Sequence, residues 1–533
     1  VQASIHKVDI FHQRGMIAVP PHRSRLHTLL EPALHAVQLS SNFLFHPKIW
    51  VVRFEDQSTG QVTTRLIVMS RNLARGRSWD VALTLDGEIG GAPRAQNKPI
   101  VDLLRYLTSA VRPSLSQERA DRISALAEEI RRARWTLPTG ATDLDFHVFG
   151  VPGPRSPKPD FSGYKHLLIS PFLTDDGLAK IAEYSSGPVS VVSRQESLNS
   201  LSAEFAEWIT DPFVLSPTAG IPADDAESSG SPALSGLHAK LYCVERARKA
   251  HLFIGSANAT RNAFRGNVEI LVELTGKTGV LGVDALLGKG GFMSILQSTT
   301  IEPSGEEAED QQAILDGQLR QLVSAVSLRA ELSETDEAYT LHLTSEAAVS
   351  TKQEVTLMVS LLTDKAIAAN VLTGSRIDVP FEGLTLSDVT AFVVLTISDN
   401  GGRTSSTVVK ADLVNDVPGR MSSIVTREIS TPDAFRRFLA LLLAFGAPSA
   451  ASDGGDDGGD VALTSGRWDA LENGLFEQLL RVSTSNLQIL NHLAGVVESI
   501  IDQDDPNGVL PEGFRQLWSA ISTATKAEVT VDV

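Results

Sequence analysis

His238 and Lys240 stand two residues apart in the run LHAKLYCVERARKAHLFIGSANAT, and Ser256 and Asn258 stand two apart where its next apolar segment ends. In extended backbone, residues two apart project from the same face. One face therefore offers an imidazole, a fixed cation, a hydroxyl and an amide. Phosphoryl transfer needs this combination. Imidazole, with an ordinary pKa of ~6.5, can attack phosphorus or protonate a leaving oxygen near neutral pH. The lysine and asparagine can hold the phosphate's equatorial oxygens.

A single such pair carries little weight, but the chain holds two. FHPKIWVVRF supplies His46 and Lys48, and RLIVMSRNLARGRSWDVAL supplies Ser70 and Asn72, followed by Asp80. The second copy continues through Gly255, Ser256 and Asn258 to Asn267 and Glu269. HxK, then GSxN, then NxE in the second copy, with HxK and SxN repeated in the first, resembles the phospholipase D superfamily, in which two similar halves close one site. The resemblance covers about the first 290 residues. It implies that one histidine forms a phosphohistidine while the other protonates the leaving group and then activates water. In the family the first-half histidine is usually the nucleophile, which would be His46, with His238 as the acid. The catalytic set is then His46, Lys48, Asn72, His238, Lys240 and Asn258, supported by Ser70, Asp80, Ser256, Glu245 and Glu269. Ser70 and Ser256 are expected to add a bond each to the phosphate. The signature's aspartate is Arg53 in the first copy and Glu245 in the second. Loss of that aspartate is similar to tyrosyl-DNA phosphodiesterase, and the likeness to that branch is confined to the motifs.

These residues need elements to hold them. Residues 1–135 read as a first sheet-and-helix half, with strands near Val8–Phe11 and Met16–Val19. A helix kinked by Pro32 is expected through Leu26, Leu29, Leu30, Ala33, Leu34 and Val37. His46, Lys48, Trp50 and Val52 should share one face of a strand, and Ile100–Leu107 and Ser116–Trp135 should be helices. Residues 136–300 repeat the plan more fully. Strands are expected at Asp145–Val151, His166–Ile169 and Val189–Val192, and helices at Asp175–Tyr184 and Leu201–Trp208. The Gly-, Pro- and acid-rich Ala219–Ser235 forms a loop into His238. The shorter approach to His46, and a chain that begins at Val1, suggest that a strand and helix upstream have been left out. Strands alternating with helices give an α/β class with a mainly parallel or mixed sheet, here as an internal pseudo-dimer of halves.

From about residue 327 the texture changes to alternating runs with a turn signal at Asp399–Gly402, an all-β, sandwich-like module over 327–415. Residues 416–533 read as helical: a capped helix from Thr431 to Phe445, then Trp468–Val482, Asn486–Ile501 and Pro511–Ile521. DGGDDGGD lies in an acidic linker over 448–463, since it lacks the closing glutamate of a calcium loop.

The bulk figures set outer bounds. The chain of 533 residues carries a net charge of −17. Residues 1–300 hold 32 Lys+Arg against 29 Asp+Glu, so the acidity belongs to the C-terminal part. The single cysteine, Cys243, excludes an internal disulfide framework and fits a reducing, cytoplasmic compartment; it reads as a small buried residue. No apolar run reaches the ~20 residues of a membrane span. No metal-ligand spacing, nucleotide-binding loop or cofactor fingerprint occurs, so no cofactor is expected. The combined expectation is a metal-independent nucleic-acid phosphodiesterase, with DNA preferred over RNA as partner. Proteins of similar layout suggest anti-phage defence beside a helicase, docked through the β module or the C-terminal helices. Two other readings stay open: a phospholipid phosphodiesterase or phosphatidyl transferase, and a non-catalytic adaptor on the same scaffold.

Overall fold

The computed structural model describes residues 5–39, 43–56, 58–72, 77–153, 158–219, 236–288, 290–304, 311–335, 338–351, 355–363, 368–446, 497, 500, 508–510 and 514–529. The chain divides into two compact units: Ala36–Asp310, and Val1–His35 together with Gln311–Val533.

The first of these holds both HxK motifs, and its class is mixed α/β. A four-stranded antiparallel sheet runs Ile49–Glu55, Val62–Met69, Ala82–Ile89, Ala133–Trp135. An eight-stranded mixed sheet runs Leu296–Ser298, Asp211–Leu215, Val189–Val192, Lys165–Ile169, Leu241–Arg246, Lys249–Gly255, Glu269–Lys277, Ala141–Phe149. In it Lys165–Ile169, Val189–Val192 and Asp211–Leu215 are parallel, and the remaining pairings are antiparallel. Buried from Leu241 to Glu245 and from His166 to Ile169, the central strands are apolar almost throughout, as strands covered on both faces must be.

Both sheets contain one repeated unit. An HxK segment leads into Ile49–Glu55 or Leu241–Arg246, and an antiparallel strand returns to SxN. A third antiparallel strand, Ala82–Ile89 or Glu269–Lys277, lies beside the second. Beyond that unit the halves differ, since only the second carries parallel strands. The first half adds the helices Lys98–Ala110 and Gln117–Arg132 instead, close to the expected spans. Leu201–Trp208 holds only the short turn of helix Ala203–Ala206.

Near the start of the chain, Ile10–Gln13 pairs with Leu34–Val37, where the sequence suggested a kinked helix through Val37. The helical spacing is real only for the 3-10 turn Arg25–Leu30, which Ser24 caps. Pro32 has no N–H and cannot carry a helix onward, so the chain opens into a strand. Met16–Val19 contributes a lone bridge, Ile17 to Val408. Glu31 explains why Val1–His35 groups with Gln311–Val533 and not with the first half. Its buried carboxylate accepts from Thr390 Oγ1, Ala391 N and Arg420 Nη2, at 2.8, 2.7 and 2.8 Å. Two four-stranded sheets spanning Leu328 to Val414 share one apolar core and form a sandwich. The helix Gln311–Ala325, unassigned from sequence, lays Leu315, Leu319, Leu322 and Val323 into it. Pro432–Gly446 is a helix with Thr431 Oγ1 capping Ala434 N at 3.2 Å, and Phe514–Val529 is another. The acidic linker and Trp468–Val482 lie outside the described residues, as does Asn486–Ile501 apart from Val497 and Ile500. Among the described residues no helix is long and apolar enough to cross a membrane.

Candidate active site

The two HxK segments reach the site by crossing over. Phe45 bridges Val268 in parallel register, with His46 N donating to Val268 O and Val268 N to Leu44 O. Reciprocally, Gly236 and Leu237 pair in parallel with Ser78 and Trp79, and His238 N and Ala239 N both donate to Trp79 O. Each motif's lead-in is thus hydrogen-bonded to the segment that follows SxN in the other half. Neither histidine lies within a ladder strand; each precedes one, at Ile49 and at Leu241.

The lysines obey the same pseudo-symmetry. Lys48 Nζ donates to His46 O at 2.8 Å, and Lys240 Nζ to His238 O at 2.8 Å. They are 4% and 1% exposed, and each ammonium keeps donors beyond the one bond to its own histidine's carbonyl. Burial lowers both pKa values to about 7, and the charge of Lys48 lowers Lys240 further, while Glu269 acts on both in the raising direction.

The serines depart from expectation. Both are fully buried and are hydrogen-bonded within the scaffold. Ser70 Oγ accepts from Val81 N at 2.9 Å; Ser256 Oγ accepts from Ile270 N at 3.0 Å and donates to Glu269 Oε2. The glycine before Ser256 is required by contact, since a Cβ on Gly255 would sit 2.0 Å from Ile270 O.

The carboxylates break the symmetry. Glu269, fully buried, accepts from His46 Nδ1 at 2.9 Å, from Asn267 Nδ2 at 3.3 Å and from Ser256 Oγ. Asn267 Oδ1 in turn accepts from Leu44 N at 2.9 Å, tying the HxK lead-in to the same cluster. A carboxylate accepts, so Nδ1 of His46 donates to it and Nε2 is the ring nitrogen left to face a substrate. Asp80 holds the equivalent place in the first half, one methylene shorter. It is 41% exposed and faces Arg71 at 3.8 Å, not His238. His238 Nδ1 instead donates to Ser70 O at 3.2 Å. Lys240 Nζ lies 3.0 Å from the same nitrogen but has the His238 carbonyl as an acceptor, which leaves the Nδ1 hydrogen to Ser70. Burial, then the charges of Lys240 and Lys48, lower the His238 pKa to about 4, so the imidazole is neutral at pH 7 before an anion arrives.

The two residues at the signature's aspartate positions lie elsewhere. Glu245 accepts from Val283 N at 2.9 Å, on the buried strand beyond Lys240, and does not join the cluster. Arg53 pairs with Glu129 at 2.9 Å and with Glu55 at 2.6 Å on the sheet surface. Asn72 is exposed; Asn258 is partly buried, and its Oδ1 is a buried atom with no hydrogen-bond partner among the described residues. An unmet buried polar atom costs about 1–3 kcal/mol.

Arg194 belongs to the site and was missed. It donates to Leu237 O at 3.1 Å, and its charge lowers the pKa of Lys240. The available signal was its place just past Val189–Val192, since ligands of open α/β sheets gather at the carboxyl ends of parallel strands. Cys243 is a buried free thiol, as expected. Among the described residues no group of three or more His, Cys, Asp or Glu side chains could hold a metal.

The lysines give the unliganded protein an unusual pH response. An unfolded lysine titrates near 10.5, and these two titrate near 7. Between those values the unfolded chain holds protons that the folded one has shed, so stability should rise from about pH 7 to about pH 10.5. Affinity for inorganic phosphate, which needs the charged lysines, should fall over the same range. Thermal melts across pH with and without phosphate check both slopes; parallel slopes would contradict the assignment.

No protein-family model matches the chain, and no curated protein matches it. Among solved structures, phosphatidylserine synthase from Haemophilus influenzae Rd KW20 aligns over 60% of this chain and 79% of its own, at 11% identity and a TM-score of 0.32. At that score the likeness carries no argument, and the reading of the site rests on its own geometry.

Proposed function

We propose that the protein is a phosphodiesterase that works through a phosphohistidine on His46 and hydrolyses nucleic-acid phosphodiester bonds without a metal. The observation that carries this reading is the crosswise assembly, in which a first-half histidine is held by a second-half carboxylate between two buried lysines. His46 Nε2 attacks phosphorus, and the P–O bond to the leaving group breaks. His238 gives its Nε2 proton to the departing oxygen. It then takes a proton from water, whose oxygen displaces His46 and releases a phosphate monoester. Lys48, Lys240 and Asn258 hold the equatorial oxygens throughout. His238 is neutral before binding, so it must gain its proton as the substrate's negative charge offsets the two lysines.

The balanced charge of residues 1–300 supports nucleic acid over lipid, and so does the presence of Arg194, which repels a cationic lipid headgroup. The test incubates the protein with end-labelled single- and double-stranded DNA and RNA, and with a fluorescent phospholipid, all in EDTA. Cleavage of nucleic acid that disappears in His46→Ala, with the lipid intact, is the expected result. Lipid cleavage alone would replace the nuclease reading with a lipase or transferase, and cleavage restored only by a divalent ion would overturn the metal-free step.

A further inference from the structure

Beside the site lies an exposed aromatic ring with a cation on its face. Phe172 is 45% exposed, and the Arg194 guanidinium sits 4.8 Å from its centroid. Each partner is anchored to a different part of the catalytic motif. Arg194 donates through Nε and Nη2 to Leu237 O, the carbonyl immediately before His238. The Phe172 loop is fastened to the residue after Asn258: Leu173 bridges Ala259, and Ala259 N donates to Ser170 Oγ at 3.0 Å. Ser170 Oγ donates to Phe172 O at 2.7 Å, Ser193 Oγ to Ser170 O at 2.7 Å, and Ser197 Oγ to Pro171 O at 3.0 Å. The ring is therefore held out to solvent by a loop with little freedom left to lose on binding.

The charge is equally specific. Among the described residues Arg194 has no carboxylate within salt-bridge distance, and its Nη1 makes no hydrogen bond. A phosphodiester brings one negative charge, and Lys48 with Lys240 already answers it. A third cation near Lys240 makes that lysine harder to charge, an arrangement that favours a ligand with more than one phosphate. Bases stack on exposed aromatic faces and arginine takes the neighbouring backbone phosphate, which is how single strands are gripped without regard to sequence.

We infer that Phe172 and Arg194 form a subsite for the nucleotide flanking the scissile phosphate, with the base on the ring and the next phosphate on the guanidinium, so that the substrate is a single-stranded or frayed nucleic acid. This rests on the nucleic-acid reading of the same site. It is tested by binding, so that it stands or falls apart from catalysis. Fluorescein-labelled eight-residue oligothymidylate is titrated into the full chain carrying His46→Ala, read by anisotropy, with Phe172→Ala, Phe172→Trp or Arg194→Ala added. Phe172→Ala should weaken binding about 5- to 150-fold, and Phe172→Trp should restore it. Arg194→Ala should also lower the slope of log affinity against log salt by about 0.7, the signature of one lost single-strand phosphate contact. In the His46→Ala background, one abasic residue should cost as much as Phe172→Ala at a single position, and nothing more once Phe172 is gone. No binding of the oligonucleotide, equal binding by Phe172→Ala, or an unchanged salt slope in Arg194→Ala would each overturn the subsite. If His46→Ala also fails to abolish cleavage in EDTA, the phosphodiesterase reading fails separately.

Discussion

A protein carrying His238→Ala, given bis(4-nitrophenyl) phosphate, should release one equivalent of nitrophenolate and then stall with a phosphoryl group on His46. Nitrophenolate leaves without help from an acid, so the first P–O bond still breaks. The second step has lost the base that activates water, and steady turnover should fall about 10²- to 10⁴-fold. His46→Ala should give no burst at all. Mass analysis of the peptide containing His46 checks the assignment, because one nitrophenylphosphoryl group is expected there and on no other histidine. A burst from His46→Ala and none from His238→Ala would exchange the two roles. The asymmetry behind the prediction is structural: a carboxylate holds Nδ1 of His46, whereas a backbone carbonyl holds Nδ1 of His238.

The second large effect should come from Glu269→Gln. Glu269 gathers three donors, from His46, Ser256 and Asn267, at a fully buried point. An amide keeps the shape but turns one acceptor into a donor. It then faces another donor, which costs about 1–3 kcal/mol of stability for the group left unmet. It also removes the charge that fixes the His46 tautomer, and kcat should drop by roughly 10²- to 10⁴-fold, as when the orienting carboxylate of a catalytic triad is lost. Asp80→Asn, at the pseudo-symmetric position, should change kcat less than about tenfold, since that carboxylate touches Arg71 and not His238. Equal losses in the two variants would mean that the halves are chemically equivalent after all. Steady-state kinetics with a thermal melt of each variant separates the catalytic loss from the structural one.

The HxK and SxN pairs could be picked out because two-residue spacing survives in any extended backbone, whether or not a ladder strand forms there. His46 and Lys48 stay linked, Lys48 Nζ to His46 O, although the strand begins only at Ile49. Central strands such as Val189–Val192 were legible for the same local reason, as apolar runs between turn signals. The roles of the supporting residues were not. Glu245 and Glu269 are both buried acids after an HxK motif, but which of them meets a histidine depends on the pairing of Phe45 with Val268, more than two hundred residues apart. Ser70 and Ser256 looked like ligand groups because a hydroxyl's duty to a neighbouring strand's N–H cannot be read from its type. Leu26–Val37 failed through ambiguity, since the apolar positions of one helical turn and of a short strand coincide until Pro32 decides between them. Arg194 and Phe172 sit in loops whose meaning comes only from the strands they follow.

The crossing of the two lead-in segments also sets a clock on biosynthesis. While the ribosome has delivered only the first half, His46 has no carboxylate to hold it, and its lead-in has no Val268 backbone to pair with. His238 arrives with Trp79 waiting, but the site is still open until Glu269 has emerged and its strand has docked. An incomplete or prematurely released chain therefore has no assembled centre. On the proposed reading, competence begins only once both halves have left the machinery that made them.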